Sequence, residues 1–119
     1  MSKILAVDDD LNVVMVYRDL LSHEGHEFYF AEDPVGGLSK YEETKPDLVL
    51  LDFEMPAGGG MAFFNSLRGR MVKPVPVIFI TAHDEKDIGF ALKLHKVGYL
   101  KKPFTKEDFL EKVASALKP

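Results

Sequence analysis

With 119 residues, 46% hydrophobic and 29% charged, the chain is sized for a single globular domain over 1–119 that buries its own core. The absence of cysteine excludes disulfides and thiolate chemistry, and a net charge of −4 with no dense Lys/Arg block argues against direct nucleic-acid binding. No apolar stretch approaches the roughly 20 residues of a membrane span, and the apolar run 4–7 is too short for a secretory leader, so no membrane association and a cytoplasmic location are expected.

The run 3–7 predicts a first strand, closed by Asp8, Asp9 and Asp10. Leu11, Val14, Met15, Arg18 and Leu21 then recur at helical spacing up to Gly25, with Asp10 as the expected N-cap. A second strand over 27–30 leads to Asp33-Pro34, a capping acid followed by proline at the first helical position. The second helix places Val35, Leu38 and Tyr41 on one face and stops before Pro46. A third apolar run, 48–51, ends in Asp52. After the turn Met55-Pro56-Ala57-Gly58-Gly59-Gly60, Met61, Phe63, Phe64 and Leu67 mark a third helix.

Pro74 and Pro76 mark the start of a fourth strand, expected over 75–80 and followed by Thr81. Ile88, Ala91, Leu92 and His95 trace a fourth helix, and 97–100 form a short fifth strand just before Lys102. Thr105 with Asp108 resembles a capping box, and Phe109, Leu110, Val113, Ala114 and Leu117 give the last helix its apolar stripe. His23, His26 and His95 lack metal-ligand spacing and read as surface residues.

Strands that are apolar throughout are buried on both faces, which requires a parallel sheet covered by helices. Five βα units are too few for an eight-stranded barrel. They predict an α/β, flavodoxin-like doubly wound sheet of five parallel strands, order 2-1-3-4-5, with five helices. Ligands of such sheets sit beyond the carboxyl ends of the strands, so Asp8, Asp9, Asp52, Thr81 and Lys102 are the candidate site. Clustered carboxylates repel and call for a hard divalent cation; magnesium, with manganese as a substitute, suits a set of few carboxylates.

The segments Ile4-Leu5-Ala6-Val7-Asp8-Asp9-Asp10, Leu50-Leu51-Asp52-Phe53-Glu54-Met55-Pro56 with Gly60, Val77-Ile78-Phe79-Ile80-Thr81-Ala82, and Tyr99-Leu100-Lys101-Lys102-Pro103-Phe104 together resemble the receiver domains of response regulators, the chemotaxis regulators among them. The resemblance runs from Lys3 to about Leu117. It implies that Asp52 accepts a phosphoryl group from a phosphohistidine on a sensor histidine kinase or histidine phosphotransfer protein. It further implies that Asp8, Asp9, Asp52 and the backbone carbonyl of Glu54 hold magnesium, and that Thr81 and Lys102 contact phosphoryl oxygens. Tyr99 would be the switch aromatic, and Pro103 would follow a cis peptide. Glu54 and His83, two residues after Asp52 and Thr81, would tune the lifetime of the phosphorylated state. Such a chain is no enzyme beyond its own phosphorylation and dephosphorylation. It signals to a downstream protein or an output domain, as a monomer or a phosphorylation-dependent dimer.

One stretch departs from the family pattern: His95-Lys96-Val97-Gly98 stand where Gly-Ala and two polar residues are usual before the tyrosine. The fourth helix therefore lacks its terminating glycine, which bears on the output face rather than on the pocket. Three other functions fit these residues less well. Haloacid-dehalogenase phosphatases carry their Asp-x-Asp on the first strand and need more chain. A flavodoxin-like carrier would not place three acids where a cofactor phosphate binds. An inert receiver-like scaffold would lack Asp52, Thr81 or Lys102.

Overall fold

A computed structural model describes residues 2–55, 59–70, 74–94 and 96–118, without the side chains of residues 70 and 90. The apolar runs become β1 (Lys3–Val7), β2 (Glu27–Ala31), β3 (Leu48–Leu51), β4 (Val77–Thr81) and β5 (Val97–Lys101). All pair in parallel in the order β2-β1-β3-β4-β5, so the doubly wound, flavodoxin-like fold forms as expected. Val7 is in register with both Ala31 and Leu51, and Leu51 with Phe79, which levels the strand ends along one edge.

Successive strand residues feed opposite faces, the two-residue period of a pleated sheet. Leu5, Val7, Val49, Leu51, Val77 and Phe79 pack with Phe63, Phe64 and Leu67 of α3 (Gly59–Arg70). Ile4, Ala6, Leu48, Leu50, Ile78 and Ile80 pack with Tyr17 and Leu21 of α1 (Leu11–Ser22) and with Phe109 and Val113 of α5 (Lys106–Ala116). Each fully buried side chain of this size contributes about 1.5–3 kcal/mol of transfer free energy. α2 (Pro34–Thr44) closes against α3 at Gly37, where a Cβ would meet the Phe63 ring at 2.8 Å.

The capping signals hold. Asp10 accepts from the N–H groups of Asn12 and Val13, Asp33 from Gly36 ahead of which Pro34 opens α2, and Thr105 from Asp108. Several expected faces and bounds need correction. In α1 the buried line is Val14, Tyr17 and Leu21, while Leu11 and Met15 are 45% and 38% exposed. In α2 Val35 is 76% exposed, and Pro34, Gly37 and Thr44 face inward. Ala114 is also exposed on α5.

β4 begins at Val77 rather than at 75, because Pro76 has no N–H to give the ladder, although its carbonyl accepts from Val49. β2 and β5 each run one residue further than expected. The fourth helix is the largest difference. A 3₁₀ turn, Glu85–Ile88, and a four-residue α4, Gly89–Leu92, replace a full helix. Ile88 and Ala91 still bury against the sheet, and His95 lies outside the described residues. No helix among the described residues is long and apolar enough to cross a membrane.

Candidate functional site: an acidic pocket at the strand ends

Asp8 follows β1, Asp52 follows β3, Thr81 ends β4 and Lys102 follows β5. Their backbones are tied to the neighbouring strands. The N–H of Asp8 donates to Ala31 O at 3.1 Å, that of Asp52 to Val7 O at 3.1 Å, and that of Lys102 to Thr81 O at 2.8 Å. Behind Asp52 the start of α3 presses in closely: Gly60 N–H donates to Phe53 O at 2.8 Å, and a Cβ at residue 60 would stand 2.1 Å from the Asp52 carbonyl oxygen. Only glycine fits there.

The expected acidic cluster forms. Carboxylate oxygens of Asp8, Asp9 and Asp52 all lie within 4.8 Å of one another, with Asp8 buried, Asp52 half-buried and Asp9 exposed. Lys102 Nζ stands 3.0 Å from Asp8 Oδ2 and 3.6 Å from Asp52 Oδ2. Asp8 Oδ1 accepts the Asp10 N–H at 2.9 Å, and Asp52 Oδ1 accepts the Glu54 N–H at 3.3 Å. Burial raises the Asp52 pKa above the usual carboxylate value; the charges of Asp8 and Asp9 add to the rise, while Lys102 and the Glu54 N–H oppose it. Three carboxylates facing one ammonium leave excess negative charge on hard oxygen donors, a set that fits a hard divalent cation such as magnesium.

Around the mouth, the Thr81 hydroxyl oxygen accepts the His83 N–H at 3.2 Å, and Tyr99 donates its hydroxyl to the His83 carbonyl at 2.6 Å. The His83 ring contacts Glu54 through Nε2, faces Asp87 through Nδ1 at 3.6 Å, and meets the Phe53 ring edge-on at 5.2 Å. The bond to Glu54 is the main reason its pKa is raised. Lys101 is exposed and pairs with Asp84 at 2.5 Å. The Lys102-Pro103 peptide is cis. Residues 56–58 of the expected turn lie outside the described residues.

Three participants were not foreseen. Tyr17 directs its hydroxyl at Asp8 Oδ2, 3.5 Å away, and burial pushes its pKa well up, so it stays protonated. Shifting the α1 stripe to 14, 17 and 21 would have revealed its inward place. Asp87 stands four residues after His83, a helical spacing, and Asp84 gains its role only once β5 brings Lys101 alongside.

The sequence profile of the response regulator receiver domain matches residues 4–114. The chain is 32% identical over 117 residues to the alkaline phosphatase synthesis transcriptional regulatory protein PhoP of Bacillus subtilis, covering 98% of this chain and 48% of that protein. It is 29% identical over 118 residues to the phosphate regulon transcriptional regulatory protein PhoB of Escherichia coli, with 98% and 52% coverage. It thus spans about half the length of these curated relatives. The structure of the chemotaxis response regulator CheY4 of Vibrio cholerae superposes with a TM-score of 0.89 at 27% identity, over 98% of this chain and 99% of that one. The chain belongs to the response regulator receiver family, whose members are signalling domains of two-component systems rather than conventional enzymes.

Proposed function

We propose that Asp52 of this receiver accepts a phosphoryl group from a phosphohistidine on a sensor histidine kinase or histidine phosphotransfer protein. Residues 1–119 act as a single receiver unit in the cytoplasm. The observation that carries this reading is the convergence of Asp8, Asp9 and Asp52 within 4.8 Å, with the Lys102 ammonium between Asp8 and Asp52. An ionised carboxylate needs no base to attack phosphorus. A bond forms between an Asp52 oxygen and phosphorus as the P–N bond to the donor imidazole breaks, its electron pair staying on the nitrogen.

Phosphoryl transfer depends mainly on alignment and on neutralising charge. Lys102 supplies one positive charge. Asp8, Asp9, Asp52 and the Glu54 carbonyl would hold magnesium, or manganese, which when bound supplies the rest. Thr81 donates its hydroxyl to a phosphoryl oxygen. Tyr99 follows Thr81, since both are bonded to the backbone of His83. Glu54 and His83, in contact over Phe53, shield the mouth from water and lengthen the lifetime of the acyl phosphate.

The chain catalyses only its own phosphorylation and dephosphorylation. Its output is a downstream protein or an attached output domain, reached as a monomer or a phosphorylation-dependent dimer. Incubation with acetyl phosphate and Mg²⁺, followed by intact mass, should show the gain of one phosphoryl group, absent in Asp52→Asn. A parent chain that stays unmodified with donor and Mg²⁺ in excess would overturn the reading.

A further inference from the structure

Tyr17 is 1% exposed on the inner face of α1. Its ring lies parallel to Phe109, with centroids 5.4 Å apart and planes at 2°, and stacks on Phe104 at 6.0 Å. Phe104 in turn stacks on Phe109 at 5.3 Å. The three rings bind α1 and α5 to the loop that carries Lys102. Phenylalanine would serve this packing equally well, so the hydroxyl needs its own account. A buried hydroxyl is costly unless bonded. The acceptor before it is Asp8 Oδ2, at 3.5 Å.

That oxygen also takes Lys102 Nζ at 3.0 Å, while Oδ1 is held by the Asp10 N–H. The ammonium is shared, since it also stands 3.6 Å from Asp52 Oδ2. The Tyr17 phenol is thus a second side-chain donor to a buried oxygen whose charged partner is divided between two carboxylates.

We propose that Tyr17 is a positioning residue for the metal-binding carboxylate: its phenol hydroxyl, 3.5 Å from Asp8 Oδ2, keeps Asp8 directed into the pocket while Lys102 is shared with Asp52. The proposal rests on the phosphoacceptor reading of the site. Tyr17 touches neither phosphorus nor the donor. It acts through Asp8 alone, fixing a ligand's orientation as outer-shell partners of metal sites do.

The test is a Mg²⁺ titration of the whole chain without any phosphoryl donor, followed through the backbone amide signals of Asp9 and Asp10. Tyr17→Phe keeps the stacked ring and should weaken Mg²⁺ binding by about 10-fold, the lower end for loss of an outer-shell partner. The Mg²⁺ needed for half-maximal uptake from acetyl phosphate should rise in proportion, with excess Mg²⁺ recovering uptake. A purely structural role would lower uptake at every Mg²⁺ concentration and leave the requirement in place. Mg²⁺ affinity of Tyr17→Phe within twofold of the parent overturns this proposal alone. A parent chain that binds no Mg²⁺ overturns it together with the metal-dependent reading on which it rests.

Discussion

The acidic pocket and the fourth crossover, residues 82–96, meet at Thr81 but are held by different forces. Asp8, Asp52 and Thr81 stand at or just past the ends of central strands, and Lys102 just past the edge strand β5, where backbone bonds to Ala31, Val7 and Thr81 fix the main chain. Buried aromatic and aliphatic side chains cover both faces of the sheet beneath them. The crossover has a 3₁₀ turn, a four-residue helix and a lysine, Lys96, in the left-handed region at φ 63°. At its start it relies on exposed ion pairs, Lys101 with Asp84 and His83 with Glu54 and Asp87. The proposed reactivity is thus built on the firmly held part, and change of shape is cheapest next to it. Thr81 and Tyr99, both bonded to His83, join the two.

The contrast can be attacked first at the pocket. Lys102→Met leaves the three acids without their ammonium and should slow uptake from acetyl phosphate by about 10²–10³-fold, the cost of removing one charge-stabilising donor. An uptake rate equal to the parent's would mean that the pocket's charge balance is irrelevant. At the seam, Glu54→Ala and His83→Ala should each speed the loss of phosphoryl group several-fold, measured by intact mass after the donor is removed. Unchanged half-lives would refute the shielding role.

Smaller effects belong to the crossover. Lys96→Gly should raise unfolding stability in urea by about 0.5–1 kcal/mol, the left-handed penalty less the extra chain entropy of glycine. A loss of stability would show that φ at residue 96 carries no strain. Asp84→Asn should have the least effect, and one that depends on pH. Lys101 holds the Asp84 carboxyl below its ordinary pKa, so the pair's contribution is present above the ordinary carboxylate range and fades as pH falls through the depressed value. Hydrogen exchange in the crossover should therefore separate parent and variant at neutral pH and converge in acid. Separation that persists in acid would break the assignment.

Much of the pocket was legible because strand ends are marked by plain chemistry. A continuous apolar run followed by Asp8 or Asp52 says where a buried strand meets water, and strand order then brings the acids together. Caps were readable for the same local reason. What stayed hidden depended on tertiary packing. Val35 looks like core by spacing, but Gly37 sets the inward line of α2 because it alone admits the Phe63 ring. Ile88, Ala91 and Leu92 suggest a full helix, yet the chain must reach β5 at Val97 without a terminating glycine, and only a short helix forms. Tyr17 is not legible in the sequence because an aromatic on a helix face signals packing long before it signals a hydroxyl with work beyond packing.

The contact of Gly60 with the Asp52 carbonyl has a practical meaning for inhibition. The main chain of the proposed nucleophile rests directly on the first turn of α3, with no side chain between them to absorb a displacement. A compound that wedged α3 away from the sheet, lodging beside Phe63 and Leu67, would shift the attacking oxygen from behind. The receiver could then be disarmed from its hydrophobic flank, without any competitor for the crowded, charged entrance.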